Sequence, residues 1–106
     1  VPDYETLKPT YDPITNEAFA AQSNVRGTIA MARTNAPNSA TSQFFLNTAN
    51  NSAALDAAGS NAGYAVFGTI IEGLDVLDRI NDEAVVDCDQ ICFVTEPIIL
   101  VSVRRE

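Results

Sequence analysis

"SATSQFFLNTANNSAALD", residues 39–56, sets two phenylalanines beside a glutamine, after a run of small or hydroxylated residues and before an asparagine-rich stretch. Read as a strand over residues 43–47, alternation puts Gln43, Phe45 and Asn47 on one face and Phe44 and Leu46 on the other. The second face is apolar and is expected to turn to the core. The first face places an aromatic ring between two amides, a pattern that suits a shallow binding surface better than a plain solvated strand face.

Working outward, "TNAPNSATS" (34–42) is a loop of turn formers that delivers the chain into this strand. "RGTIAMAR" (26–33) before it reads as another strand, with Ile29 and Met31 on one face and the small Thr28, Ala30 and Ala32 on the other. Downstream, residues 47–63 are rich in Asn, Ala, Ser and Gly, which predicts a long loop with one helical turn around 53–57, a plausible place for function. "YAVFGTII" (64–71) is a third strand in which Gly68 marks a bulge or a close backbone approach. Leu74, Leu77 and Ile80 form one stripe of a short amphipathic helix over 74–81, with Asp75 and Asp78 in exposed or early positions. "PIILVSVRR" (97–105) is expected as a last strand opening on Pro97, while the prolines of residues 1–26 predict an irregular start. No internal repeat and no domain linker is visible.

The chain has 106 residues, 46% of them hydrophobic, enough for one domain or part of one. Six basic against fourteen acidic residues leave a net charge of -8, and without clustered Lys and Arg no nucleic-acid partner is expected. Asp82, Glu83, Asp87, Asp89 and Glu96 read as a solvated loop rather than a cation site, and their spacing does not match an EF-hand. There is no histidine, which removes Ser-His and Cys-His catalysis and histidine metal sites; no metal and no cofactor is expected. No apolar run reaches the ~20 residues of a membrane span, so no membrane partner is expected. Cys88 and Cys92 are too few for a zinc site and read as two inert thiols, as a small-loop disulfide favouring an oxidising compartment, or, less readily, as a redox switch. The chain opens on Val rather than Met and "VPDY" is not a signal peptide, so the natural start is expected to lie elsewhere.

The run "RGTIAMART…NSATSQFFLNTANN…LD…GYAVFGTIIEGLDVLDRI" closely resembles the bacterial branch of the cyclophilins, the peptidyl-prolyl cis-trans isomerases. The resemblance is strong over residues 16–80 and looser over 97–103. It implies a mostly β fold, part of a closed eight-stranded antiparallel barrel capped by helices, with the active groove on the outer surface. It also implies that these residues are a single cyclophilin-like domain lacking its N-terminal third, in which case unpaired strand edges make the chain marginal alone unless the missing segment is supplied, for instance as a separate chain. Both a bacterial periplasm and a cytoplasm suit such a protein.

The reaction implied needs no nucleophile, metal or proton shuttle. Rotation about a peptide C–N bond faces about 18–20 kcal/mol of amide resonance, and for X-Pro bonds both isomers are populated. A catalyst must bind the twisted amide better than either planar form, with an apolar pocket for the ring and a donor aimed at the prolyl nitrogen. Without a family, Phe45 and Leu55 read first as core packing and Gln43 as a structural hydrogen bond. Carried over from the family, Phe45 and Gln43 become the catalytic pair, the first the floor of the proline pocket, the second an amide against the substrate backbone. Leu55 becomes a second wall, residues Ala32, Arg33 and Thr34 the stretch whose backbone pairs with the peptide, and Tyr64 a polar aromatic rim. Phe44 and Leu46 are then expected in the core.

Two departures follow from the resemblance. The family's catalytic arginine, with a Phe and a Gln of the same pocket, falls upstream of Val1, and Arg26 and Arg33 sit where the family uses no catalytic group. Ala54 stands where cyclosporin-sensitive members carry tryptophan, which predicts weak binding of that drug. The expected function is isomerisation of X-Pro bonds in client proteins, assisting their folding. The alternatives are a non-catalytic module that holds proline-containing segments and a structural β-domain with a vestigial groove.

Overall fold

A computed structural model describes residues 7–83, 86–88 and 92–106, except the side chains of 86–88 and 92–93. The thiols of Cys88 and Cys92, on which the disulfide expectation turns, lie outside the described residues. The chain runs through a 3-10 turn (Ala18–Ala20), β1 (Thr28–Met31), β2 (Phe44–Leu46), α1 (Ser52–Leu55), β3 (Val66–Thr69), α2 (Leu74–Glu83), β4 (Val86–Cys88) and β5 (Cys92–Val94).

The three strands expected from the sequence form one antiparallel sheet in the order β2-β1-β3. Ala30 pairs with Phe45 across one edge of β1 and with Val66 across the other, so Ala30, Phe45 and Val66 share a face. Thr28 and Ala30 on β1 are buried while Ile29 and Met31 are half-buried. The small-residue face of β1 is therefore the covered one. Gly68 sits opposite Ile29, and a Cβ there would lie 2.9 Å from Ile29 Cγ2, the close approach expected of it. The register shifts beside it, between Ile29 and Ala30, so Phe67 is the extra residue of a bulge.

The other face differs from expectation. Phe44 is 45% and Leu46 38% exposed, not turned into a core. Register places them with Met31 and Ile29, and among the described elements no second layer covers them. A sheet face is buried only when another element packs on it, and none does so here among the described residues, so the core placement expected of Phe44 and Leu46 does not hold. A cleft of about 970 Å³ opens between residues 13–22 and a wall that includes Met31, Phe67 and Gly68.

The expected strand over 97–105 does not form: these residues carry no regular structure and are exposed. Backbone N–H and C=O groups take up strand geometry against a hydrogen-bonding neighbour, and among the described residues no strand pairs with this segment. The acidic stretch expected as a loop instead contains the antiparallel pair β4–β5. In α2 the predicted stripe holds at Leu77, which is buried, whereas Ile80 is exposed. The sheet is mostly antiparallel β structure as expected, but it is open and does not close into a barrel.

Openness is visible in bulk quantities as well. The radius of gyration is 14.6 Å, against about 13 Å for a compact domain of this length. The accessible surface is 8600 Å², against about 5,700 Å² expected at this mass.

Candidate functional site

The covered face of the sheet carries the residues singled out from the sequence. Phe45, on β2, and Tyr64, just before β3, meet edge to face with ring centroids 5.8 Å apart and planes at 77°, a favoured aromatic geometry. Both are half-buried, so each leaves apolar surface open to a ligand. The guanidinium carbon of Arg33 lies 4.3 Å from the Tyr64 ring centroid, within cation–π range.

Backbone hydrogen bonds fix the remaining positions. Ala32 N–H donates to Gln43 O at 2.9 Å, which ties the end of β1 to the start of β2. Tyr64 N–H donates to Leu55 O at 2.8 Å, so the helical turn α1 and the approach to β3 are held together. The Thr34 hydroxyl is 2.9 Å from Ser39 Oγ, and Ser39 Oγ also accepts from Thr34 N–H at 3.0 Å. The side chain of Thr34 is thus spent on its own loop. All seven residues belong to one connected patch. The Gln43 side chain is exposed, and only its carbonyl links it to the others.

A second group was not singled out from the sequence. Asn24 is fully buried and Asn47 is 1% exposed. Asn47 Nδ2 donates to Asn24 Oδ1 at 3.0 Å and to Thr28 Oγ1 at 2.9 Å, while its Oδ1 accepts from Asn51 Nδ2 at 2.9 Å. Asn24 Nδ2 reaches Tyr64 O at 3.0 Å and Asp56 Oδ1 at 3.0 Å. Asp56 Oδ1 also accepts from Asn24 N–H at 2.8 Å, and its Oδ2 accepts from the Ser23 hydroxyl. The Ser23 hydroxyl and the two Asn24 donors hold the Asp56 carboxyl below its ordinary value of 3.8, against a smaller opposing effect of desolvation. This network fastens α1 and residue 64 beneath the patch, and no buried side-chain polar atom among the described residues lacks a partner. Its signal in the sequence is the asparagine density of 47–51. Alternation put Asn47 on the Phe45 face but did not distinguish a ligand-facing amide from a buried one.

Neither nearby arginine is an uncommitted donor. Arg26 pairs with Asp78 on α2 at 2.6 Å, and the Arg33 guanidinium donates to Gly63 O and Thr34 O. The cleft beside Met31 shares only Arg33 with the patch. Its walls are residues 13–22 on one side and β3 with Met31 on the other, and neither Phe44 nor Leu46 lines it.

Residues 2–105 match the family described as cyclophilin type peptidyl-prolyl cis-trans isomerase/CLD. The chain is 58% identical over 73 residues to a peptidyl-prolyl cis-trans isomerase of Acinetobacter baylyi, an alignment covering 69% of this chain and 38% of that protein. It is 51% identical over 74 residues to peptidyl-prolyl cis-trans isomerase A of Dickeya dadantii, covering 70% and 38%. It is 48% identical over 80 residues to peptidyl-prolyl cis-trans isomerase B of Escherichia coli, covering 73% and 48%. The matched region thus spans less than half the length of these relatives. An open sheet with a half-exposed aromatic patch on its covered face agrees with the match over nearly the whole chain, and the chain belongs to the cyclophilin-type peptidyl-prolyl cis-trans isomerase family.

Proposed function

We propose that these residues form the peptide-holding part of a prolyl isomerase acting on extended X-Pro segments of client proteins. The observation that carries this reading is the Phe45–Tyr64 pair, half-buried beside the 32–34 backbone in a chain of this family. Phe45 and Leu55 give the proline ring apolar walls, and Gln43 brings an exposed amide to the substrate backbone; the stretch Ala32, Arg33 and Thr34 meets the preceding residues chiefly through the Arg33 backbone, since Ala32 N–H is held by Gln43 O, Thr34 N–H by Ser39 Oγ and Thr34 O by the Arg33 side chain. Tyr64 forms the rim.

The donor for the prolyl nitrogen comes from polypeptide beyond these 106 residues, because Arg26 and Arg33 are both engaged. The same polypeptide completes the sheet into a closed eight-stranded barrel by covering Phe44, Leu46 and the cleft beside Met31. The short share of the relatives' length that is matched supports this. A second reading is a module that holds proline segments without isomerising them; it would suit the chain by itself, in which no guanidinium among the described residues is placed on Phe45.

Titration of the isotopically labelled chain with a short X-Pro peptide tests the site. Amide shifts are expected at 32–34, 43–45, 55 and 64. Shifts confined to the Met31–Phe67 cleft would place the ligand on the wrong face and overturn the assignment.

A further inference from the structure

Arg33 was read from the sequence as a backbone contributor to peptide binding, yet its side chain has a task of its own. Nε and one terminal nitrogen donate to Gly63 O at 3.0 and 2.8 Å, and the other terminal nitrogen donates to Thr34 O at 2.8 Å. Gly63 O also accepts from Asn16 Nδ2 at 3.0 Å. While its edge is held by these carbonyls, its plane lies near the Tyr64 ring, and Tyr64 in turn meets Phe45. One planar group thus joins the strand end at 32–34 to the turn at 63–64, from opposite sides of the patch.

We propose that Arg33 is a positioning residue: its guanidinium fork clamps Gly63 and Thr34 and so sets the Tyr64 ring against Phe45, fixing the proline-binding end of the groove. This rests on the reading of the patch as an X-Pro groove. The charge alone does not suffice, because a lysine ammonium is a point donor that cannot span two carbonyls while stacking on a ring. The clamp acts through Tyr64 rather than through the ligand, since the donors are consumed by the chain itself.

The test is a double-mutant cycle on X-Pro peptide affinity with Arg33→Lys, Tyr64→Leu and the pair, together with the Arg33 Nε–H resonance of the ligand-free chain. Each single change is expected to weaken binding roughly 5–30-fold, as loss of one or two kcal/mol does, and the pair no more than the worse single change. The Nε–H should exchange slowly, sit upfield beneath the Tyr64 ring and lose that shift in Tyr64→Leu. Additive losses, or an unprotected Nε–H, overturn the clamp while leaving the groove intact. A wild-type chain that binds no X-Pro peptide overturns the groove, and with it the functional role of Arg33, even where the Nε–H is protected.

Discussion

Asp56 accepts three hydrogen bonds from Ser23 and Asn24, and these hold its carboxyl below 3.8. A carboxyl depressed on folding stabilises the folded state above its unfolded value, and that contribution is lost as pH falls through the folded value. Acidification below the unfolded value of 3.8 is therefore expected to loosen residues 51–64. Hydrogen exchange of Tyr64 N–H against pH should show this, and Asp56→Asn should flatten the dependence; an unchanged profile in that variant would remove Asp56 from the account. Asn47→Ala leaves Asn24 Oδ1 and Asn51 Nδ2 without their partners. It is expected to cost about 1–3 kcal/mol for the buried Asn24 Oδ1 left unpaired, readable by urea denaturation. What the sequence conveyed at this scale was residue type at a spacing: Phe45, Tyr64 and Leu55 were singled out through a family resemblance, and the structure brings them into one patch. The hub at Asn24 and Asn47 was not legible, because burial of an amide depends on which loops fold over it, and those contacts reach across as many as 40 residues.

Among the elements, local pattern served well for the three strands of the sheet. β1, β2 and β3 appear where alternation placed them, each shortened at its ends, and Gly68 meets Ile29 as a glycine within a strand suggests. The segment 97–105 has an equally good strand pattern and no strand. Its apolar alternation records a partner, and pairing is not a property of one segment. The turn at Gly63 couples element geometry to the site. Its φ of +74° and a Cβ that would lie 2.4 Å from Ala57 N both require glycine. Gly63→Ala is expected to cost about 1–2 kcal/mol for the left-handed backbone alone, with more from the clash. It should also release Arg33, and persistence of the Arg33 Nε–H protection in this variant would contradict the described turn.

At the scale of the whole molecule, the exposed surface is in excess and Phe44 and Leu46 stand uncovered among the described residues, a face that the proposed function assigns to further polypeptide of the domain. This predicts a substitution with two different costs. Phe44→Ser should change the stability of the 106-residue chain by no more than about 0.5 kcal/mol, as a surface change does. In a domain completed with the remaining residues of the Acinetobacter baylyi relative, the same change should cost about 3–5 kcal/mol, as removal of a buried ring does. Equal costs in the two would mean that the face is not covered by that polypeptide. The central claim, that these residues form the groove of a prolyl isomerase whose decisive donor comes from elsewhere, is tested most directly by the rate of cis-to-trans conversion of a short X-Pro peptide. The rate is measured with the chain alone and with the completed domain. The account predicts acceleration by the completed domain and none by the chain alone. Acceleration by the short chain would return the donor to Arg33 or Arg26, and no acceleration by either form would contradict the isomerase reading itself.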